Sequence, residues 1–218
     1  MKYKYKPYYR RKLPHIHTPG STLFVTFRLA DTIPKVVLDQ WLAEKAIRTN
    51  NLDHELKTEF HRRWFARFEE ILHKAETGPT WLADSRIAQI VSDSLAYRDG
   101  RVYDLLSYCI MSNHVHSVFT PFLNETSVIE EPVYGVMSDD APLPAIMQSL
   151  KGYTAYKANR VLGRSGQFWD EESYDHEVRS SGELRRIIRY VLNYPVKARL
   201  VQHWSEWKWS YCKWPEEY

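Results

Sequence analysis

Tyr103-Asp104-Leu105-Leu106-Ser107-Tyr108-Cys109-Ile110-Met111-Ser112-Asn113-His114-Val115-His116-Ser117-Val118-Phe119-Thr120 holds two strand-like runs separated by three residues. Tyr103 to Ile110 and His114 to Thr120 therefore read as an antiparallel hairpin, since so short a connection can only fold back on itself. His114 and His116 flank a single apolar residue in the second run. Strand side chains alternate with a period of two, which places both imidazoles on one face, where they can hold one divalent metal.

Outward from this hairpin the pattern changes to helices. Leu23-Phe24-Val25-Thr26-Phe27-Arg28-Leu29 is β-branched and aromatic, follows Pro19-Gly20, and reads as the first strand. Pro34 opens a short helix through about Ile47. Asp53 caps a longer one, whose Phe60, Trp64, Phe68, Ile71 and Leu72 recur at helical spacing until Gly78. Asp84 caps a third helix, with Ile87, Ile90, Val91 and Leu95 on one face, and Gly100 ends it. After the hairpin, residues 121–144 contain four prolines and no sustained period, so a surface loop is expected.

Ala145 to Leu162 resumes a helical pattern, and Tyr174 to Val178 makes a short strand. Ser180-Ser181-Gly182-Glu183 then opens a helix with Leu184, Ile187, Ile188 and Val191 as its apolar stripe. Pro195 disfavours helix at Tyr194 and should end it near there. This order predicts an α+β domain of ferredoxin-like type: an antiparallel sheet with helices mainly on one face and extra helices after the first strand.

At 218 residues the chain sits at the upper end of one ordinary domain. One domain is expected over 1–218, with a basic and aromatic arm over 1–20, the 121–144 loop and a Trp-rich tail over 200–218. No apolar run approaches the ~20 residues of a membrane span, and no signal-peptide core follows the basic start. A soluble, cytoplasmic protein without membrane partners is expected. Cys109 and Cys212 show no CxxC spacing, so neither a zinc knuckle nor a disulfide framework is indicated.

The formal charge of +3 conceals its arrangement. Residues 1–12 hold six cations and no acid, leaving 24 basic against 27 acidic residues elsewhere. Acids gather in 39–76 and 125–140, and cations around the late helices. A local basic surface of this kind suits a phosphate backbone. The candidates are Lys4, Arg10 and Arg11 in the arm, with Lys151, Lys157, Arg186 and Lys197 later. The arm interleaves its cations with Tyr3, Tyr5, Tyr8 and Tyr9, a combination that fits single-stranded nucleic acid but equally a polybasic tail. Trp204, Trp207, Trp209 and Trp214 are read as packing on the sheet.

Tyr190 stands between Arg185, Arg186 and Arg189 on one side and Lys197 and Arg199 on the other. A tyrosine there supplies what a metal site lacks, a side-chain nucleophile able to bond to phosphorus. Its unperturbed pKa of about 10 means that it needs help at neutral pH, which a metal polarising the scissile phosphate provides. Asn193 and Tyr194, at i+3 and i+4, share its helical face and bear on the metal shell. Tyr153 and Tyr156 are rival nucleophiles, read as stacking or packing residues. An HxHxDH metallohydrolase is disfavoured because Val118 and Phe119 fill the Asp-His positions, and His15-Ile16-His17 is read as a surface or DNA-facing segment. A DNA-breaking and rejoining enzyme accounts for the combination. A non-catalytic nucleic-acid-binding domain and a metal hydrolase that uses water are the alternatives.

Met111-Ser112-Asn113-His114-Val115-His116, Phe168-Trp169, Tyr174-Asp175-His176 and Tyr190-Val191-Leu192-Asn193-Tyr194-Pro195-Val196-Lys197-Ala198 occur in an order that resembles the single-tyrosine HUH transposases, and among them the REP-associated tyrosine transposases of bacteria. Leu13-Pro14-His15-Ile16 and Val25-Thr26-Phe27-Arg28 extend the resemblance over most of the chain. It implies His114 and His116 as ligands of Mg2+ or Mn2+ and Tyr190 as the nucleophile on a ferredoxin-like fold. It further implies cleavage of single-stranded DNA hairpins from repetitive extragenic palindromes, through a 5′-phosphotyrosine and a free 3′-hydroxyl, by a nucleoid-associated protein that is a monomer or a dimer. The family places an amide ligand four residues after the tyrosine. Here that residue is Tyr194, and Asn193 is the candidate to replace it.

Overall fold

The computed structural model describes residues 8–10, 14–16, 18, 20–49, 54–123 and 142–218. Strands β1 (Tyr8–Arg10) and β2 (Pro14–Ile16) pair as a separate two-stranded ribbon. The main sheet begins with β3 (Leu23–Leu29). Helices α1 (Lys35–Thr49) and α2 (His54–Lys74), a 3-10 turn at Trp81–Ala83 and α3 (Ser85–Arg98) follow it. Next come β4 (Tyr103–Ile110), β5 (His114–Pro121), α4 (Pro142–Val161) and β6 (Trp169–Glu177). The chain closes with α5 (Ser181–Leu192), the single turn α6 (Tyr194–Lys197) and β7 (Ser210–Cys212).

The five strands lie in the order β6-β3-β5-β4-β7, and every neighbouring pair is antiparallel. Without β7 this is the split βαβ arrangement of a ferredoxin-like domain: the strand after the first crossover is held off by the hairpin strand that returns between them. The hairpin is the predicted one. Ile110 pairs with Val115, and Met111 N donates to His114 O at 2.9 Å.

All seven residues of β3 are buried, because both faces of the sheet are covered. Leu23, Val25, Phe27 and Leu29 join a core formed with Ile87, Val91 and Leu95 of α3 and Ile146 and Leu150 of α4. Full burial of each such aliphatic side chain is worth about 1.5–3 kcal/mol. Phe24 points the other way, into a second core with Leu106, Cys109 and Val118 of the sheet and Ile188, Val191 and Leu192 of α5. The helices are thus shared between the faces rather than kept mainly on one. The two crossover helices α3 and α4 take one face. The apolar stripe of α5 needs a surface of its own and takes the other, beside the smaller α2 cluster of Trp64, Phe68 and Leu72.

Local signals account for the element ends. Asp84 accepts a hydrogen bond from Arg86 N, and Ser180 accepts one from Glu183 N, as N-caps do. Pro195 does stop α5, at Leu192, yet it sits in the first turn of α6, where a missing N–H costs nothing. Two strands depart from expectation. β6 starts five residues early, through Asp170-Glu171-Glu172, an acidic run that an edge strand tolerates and whose three carbonyls accept from Lys151 Nζ. β7 adds to the outside of β4, where Trp207 Nε1 donates to Ile110 O and Ile110 N to Trp209 O. Among the described residues no helix is long and apolar enough to cross a membrane.

Candidate metal and nucleophile site

Three elements converge on the α5 face of the sheet. β5 brings His114 and His116, both fully buried and, as the alternation requires, on the same side. Their Nε2 atoms lie 3.2 Å apart. From α2 comes Glu69, whose Oε2 is 3.2 Å from His116 Nε2. From α5 comes Tyr190, whose hydroxyl donates to the same Oε2 at 2.6 Å.

The outer nitrogens of both rings are occupied, which turns the inner ones toward the site. Asn113 Nδ2 donates to Leu72 O at 3.1 Å, so its Oδ1 faces His114 and accepts from His114 Nδ1 at 2.6 Å. His114 Nε2 therefore carries a lone pair. His116 Nδ1 is 2.8 Å from Thr26 Oγ1 on the neighbouring strand, its register partner.

One nitrogen from each histidine and one Glu69 oxygen lie within 4.8 Å of one another. First-row divalent ions bind such donors at about 2.0–2.2 Å, which separates neighbouring ligand atoms by roughly 3.0–3.5 Å, and the two 3.2 Å spacings match that. Glu69 Oε1 is buried with no hydrogen-bond partner among the described residues. A buried carboxylate oxygen left so is costly unless it has a cation to meet. The residues present fit a divalent ion.

Protonation agrees with that use. Burial pushes His114 down to about 3, leaving it neutral at neutral pH. Burial alone would raise Glu69. The charges and hydrogen bonds of the histidines and the Tyr190 hydroxyl outweigh it and hold the carboxyl at about 2. Burial, and then the Glu69 carboxylate, push the Tyr190 phenol far above its ordinary value, so it sits here as a proton donor.

Tyr194, four residues after Tyr190, meets the cluster with its ring. It is buried, its ring centroid lies 4.5 Å from that of His116 and 5.1 Å from that of His114, and its hydroxyl points to the Glu69 carbonyl at 3.4 Å. Asn193 is the C-cap of α5, and its backbone N–H donates to Arg189 O and Val191 O. The carboxylate in the cluster comes instead from Glu69. Its signal in the sequence is an acid on an apolar stripe: Phe65, Glu69 and Leu72 lie at i, i+4 and i+7.

The cationic candidates are scattered. Lys197 Nζ lies 4.9 Å over the Tyr190 ring, and Arg186 is exposed on α5 one turn before Tyr190. Lys151 is engaged with the β6 carbonyls, and Lys157 stands on α4 beside Tyr153, across the sheet. Lys4 and Arg11, and the side chain of Arg10, lie outside the described residues, as does the side chain of His15.

No family model matches this chain, and no curated protein matches it. Among solved structures it is similar to that of a REP-associated tyrosine transposase bound to a REP hairpin. The TM-score is 0.46 and the identity 14%, with 93% of this chain and 80% of that one covered. At that score and identity the likeness says nothing of the chemistry, which stands on the residues themselves.

Proposed function

We propose that this chain is a divalent-metal-dependent enzyme that cuts and rejoins single-stranded DNA, with palindromic hairpins of REP type as substrate and Tyr190 as nucleophile. The observation that carries the reading is the sharing of Glu69 Oε2 between His116 Nε2, at 3.2 Å, and the Tyr190 hydroxyl, at 2.6 Å. A cation site and a candidate nucleophile meet on one oxygen.

Glu69, His114 and His116 would hold Mg2+ or Mn2+, which when bound supplies Lewis-acid polarisation of a scissile phosphate. Tyr190 Oη would attack phosphorus, its proton passing to water. The bond from phosphorus to the 3′-oxygen breaks, and that oxygen takes a proton from water, leaving a 5′-phosphotyrosine and a free 3′-hydroxyl. Rejoining is the reverse, with the bond energy retained in the phosphotyrosine, so no nucleotide cofactor is called for. The exposed Arg185, Arg186 and Arg189 on α5 and Lys197 at the Tyr190 ring supply positive charge for the strand. The motif order in the sequence supports DNA as the substrate and a cytoplasmic, nucleoid-associated location.

A binding-only relative is the second reading, and the Tyr194 ring packed against both histidines favours it. The two part on incubation with end-labelled single-stranded palindromic DNA and Mg2+ or Mn2+, followed by denaturing electrophoresis. A protein–DNA adduct mapped to Tyr190 and lost in Tyr190→Phe, with hairpin binding retained, is the expected result. Specific binding without any adduct would hand the chain to the second reading. Cleavage that survives Tyr190→Phe but fails in His114→Ala would mean that water is the nucleophile.

A further inference from the structure

The outward face of α4 lies across the sheet from this site. Residues 142–169 contain no aspartate or glutamate. Tyr153, Tyr156, Lys157 and Arg160 fall at i, i+3, i+4 and i+7 on one stripe. Tyr153 and Tyr156 are 49% and 57% exposed and are neighbours on that stripe. Each carries a cation: Lys157 Nζ lies 5.8 Å from the Tyr153 ring centroid, and the Arg160 guanidinium 5.5 Å from that of Tyr156, donating also to its hydroxyl at 2.9 Å. Neither cation has a salt-bridge partner among the described residues. Three residues past the helix, the Arg164 guanidinium lies 3.9 Å over the Trp81 ring and donates to Asn159 Oδ1 and Gln167 O.

We infer that this face of α4 is a docking surface for single-stranded DNA, with bases stacking on Tyr153 and Tyr156 and phosphates meeting Lys157 and Arg160. Exposed rings interleaved with unpaired cations are the combination that binds unpaired strands without sequence preference. A duplex would offer the phosphates but not the base faces. From Tyr153 to Arg160 the stripe spans about 10 Å, and a stacked strand with one phosphate per about 3.4 Å would lay roughly three along it. The choice of DNA rests on the proposed function. The surface itself needs neither Tyr190 nor a metal, and its position across the sheet means that it would hold a flank of the substrate rather than the scissile bond.

The test uses the full chain carrying Tyr190→Phe, in EDTA, with a fluorescent oligothymidylate 15-mer read by anisotropy, so that a failure of the cleavage reading leaves the measurement intact. Tyr153→Ala/Tyr156→Ala is expected to weaken binding at least tenfold, and Tyr153→Phe/Tyr156→Phe to restore most of it, because the rings remain. Lys157→Ala/Arg160→Ala is expected to lower the slope of log affinity against log salt by roughly 1.4, two phosphate contacts at about 0.7 each. All these positions are exposed, so circular dichroism should be unchanged. Unchanged affinity in the double alanine variant, or no binding by the parent chain, would overturn the inference. So would self-association, followed by sedimentation, that the same variant abolishes while DNA binding persists, since the face would then belong to a second copy.

Discussion

The Tyr190 hydroxyl and the Glu69 carboxylate, 121 residues apart in sequence, meet at 2.6 Å. The contact ties α5 to α2 across the imidazoles of β5, so the proposed nucleophile is positioned by the same side chain that completes the candidate cation site. Burial first, and then the Glu69 charge, keep the phenol protonated. A cation sharing that charge would relieve the repulsion on a developing phenolate, coupling metal occupancy to nucleophile activation.

Glu69→Gln should uncouple the two. It keeps the shape and a hydrogen-bond acceptor for Tyr190 but removes the anionic ligand, so Mn2+ affinity by isothermal titration is expected to fall at least tenfold. At a metal concentration of 100 Kd the parent gains about 2.7 kcal/mol of stability. At that same concentration the variant should retain no more than about 1.4 kcal/mol. An unaltered Mn2+ isotherm would remove Glu69 from the ligand set.

Asn113→Ala tests the support behind His114. With Oδ1 gone, His114 Nδ1 loses its acceptor and Leu72 O its donor, which should cost about 1–3 kcal/mol of stability and roughly 10- to 100-fold in metal affinity. Asn113→Asp returns an acceptor to His114 while facing Leu72 O with a second acceptor. Metal affinity should recover with it, and stability should not. If both variants bind Mn2+ as the parent does, Asn113 only fills space.

Parts of this site are legible in the sequence for a physical reason. His114 and His116 declare themselves because a period of two is rigid over a short strand, and Tyr190 because its helix is amphipathic and capped. Glu69 does not. Its partners lie about 45 and 120 residues away, and only its place on the stripe of Phe65 and Leu72 marks it, which on an α2 rich in charge reads as solvation. β7 is missed because three residues among tryptophans carry no alternation, and the start of β6 because acids at a sheet edge look like loop. The second covered face follows from α5, whose stripe shows that it packs but not on what.

Gly78→Ala should be among the more damaging substitutions outside the two cores. The residue has φ of 76°, and a Cβ there would lie 2.3 Å from the Asp31 carbonyl oxygen, which is backbone and cannot swing aside. Conformational strain of about 1–2 kcal/mol adds to the clash, for a loss of about 2–4 kcal/mol in urea unfolding. Gly100, with φ of 71° and nothing within 4 Å, supplies the comparison: Gly100→Ala should cost only the strain. Equal losses at the two positions would mean that the turn after α2 is free to shift.

Arg28 and Asp170 offer a test of how the site face of β3 is held. Arg28 Nη2 lies 2.6 Å from Asp170 Oδ2, with the two side chains 4% and 19% exposed, and burial pulls the guanidinium below its ordinary pKa. Arg28 stands opposite His114 in register, so a cation stranded there would disturb the sheet beside the imidazoles. Removing the acid leaves that charge buried, a loss of about 3 kcal/mol even with Asp31 and Glu172 near. Removing the arginine leaves Asp170 at a site that water reaches in part, which costs less. Asp170→Asn should therefore destabilise more than Arg28→Met, and Arg28→Met/Asp170→Leu should be more stable than Asp170→Asn alone. The comparison is made by chemical denaturation of all three variants. The opposite order, with Arg28→Met the worst, would show that Arg28 contributes through its guanidinium over the Phe68 ring and its hydrogen bond to Thr32 rather than through the ion pair.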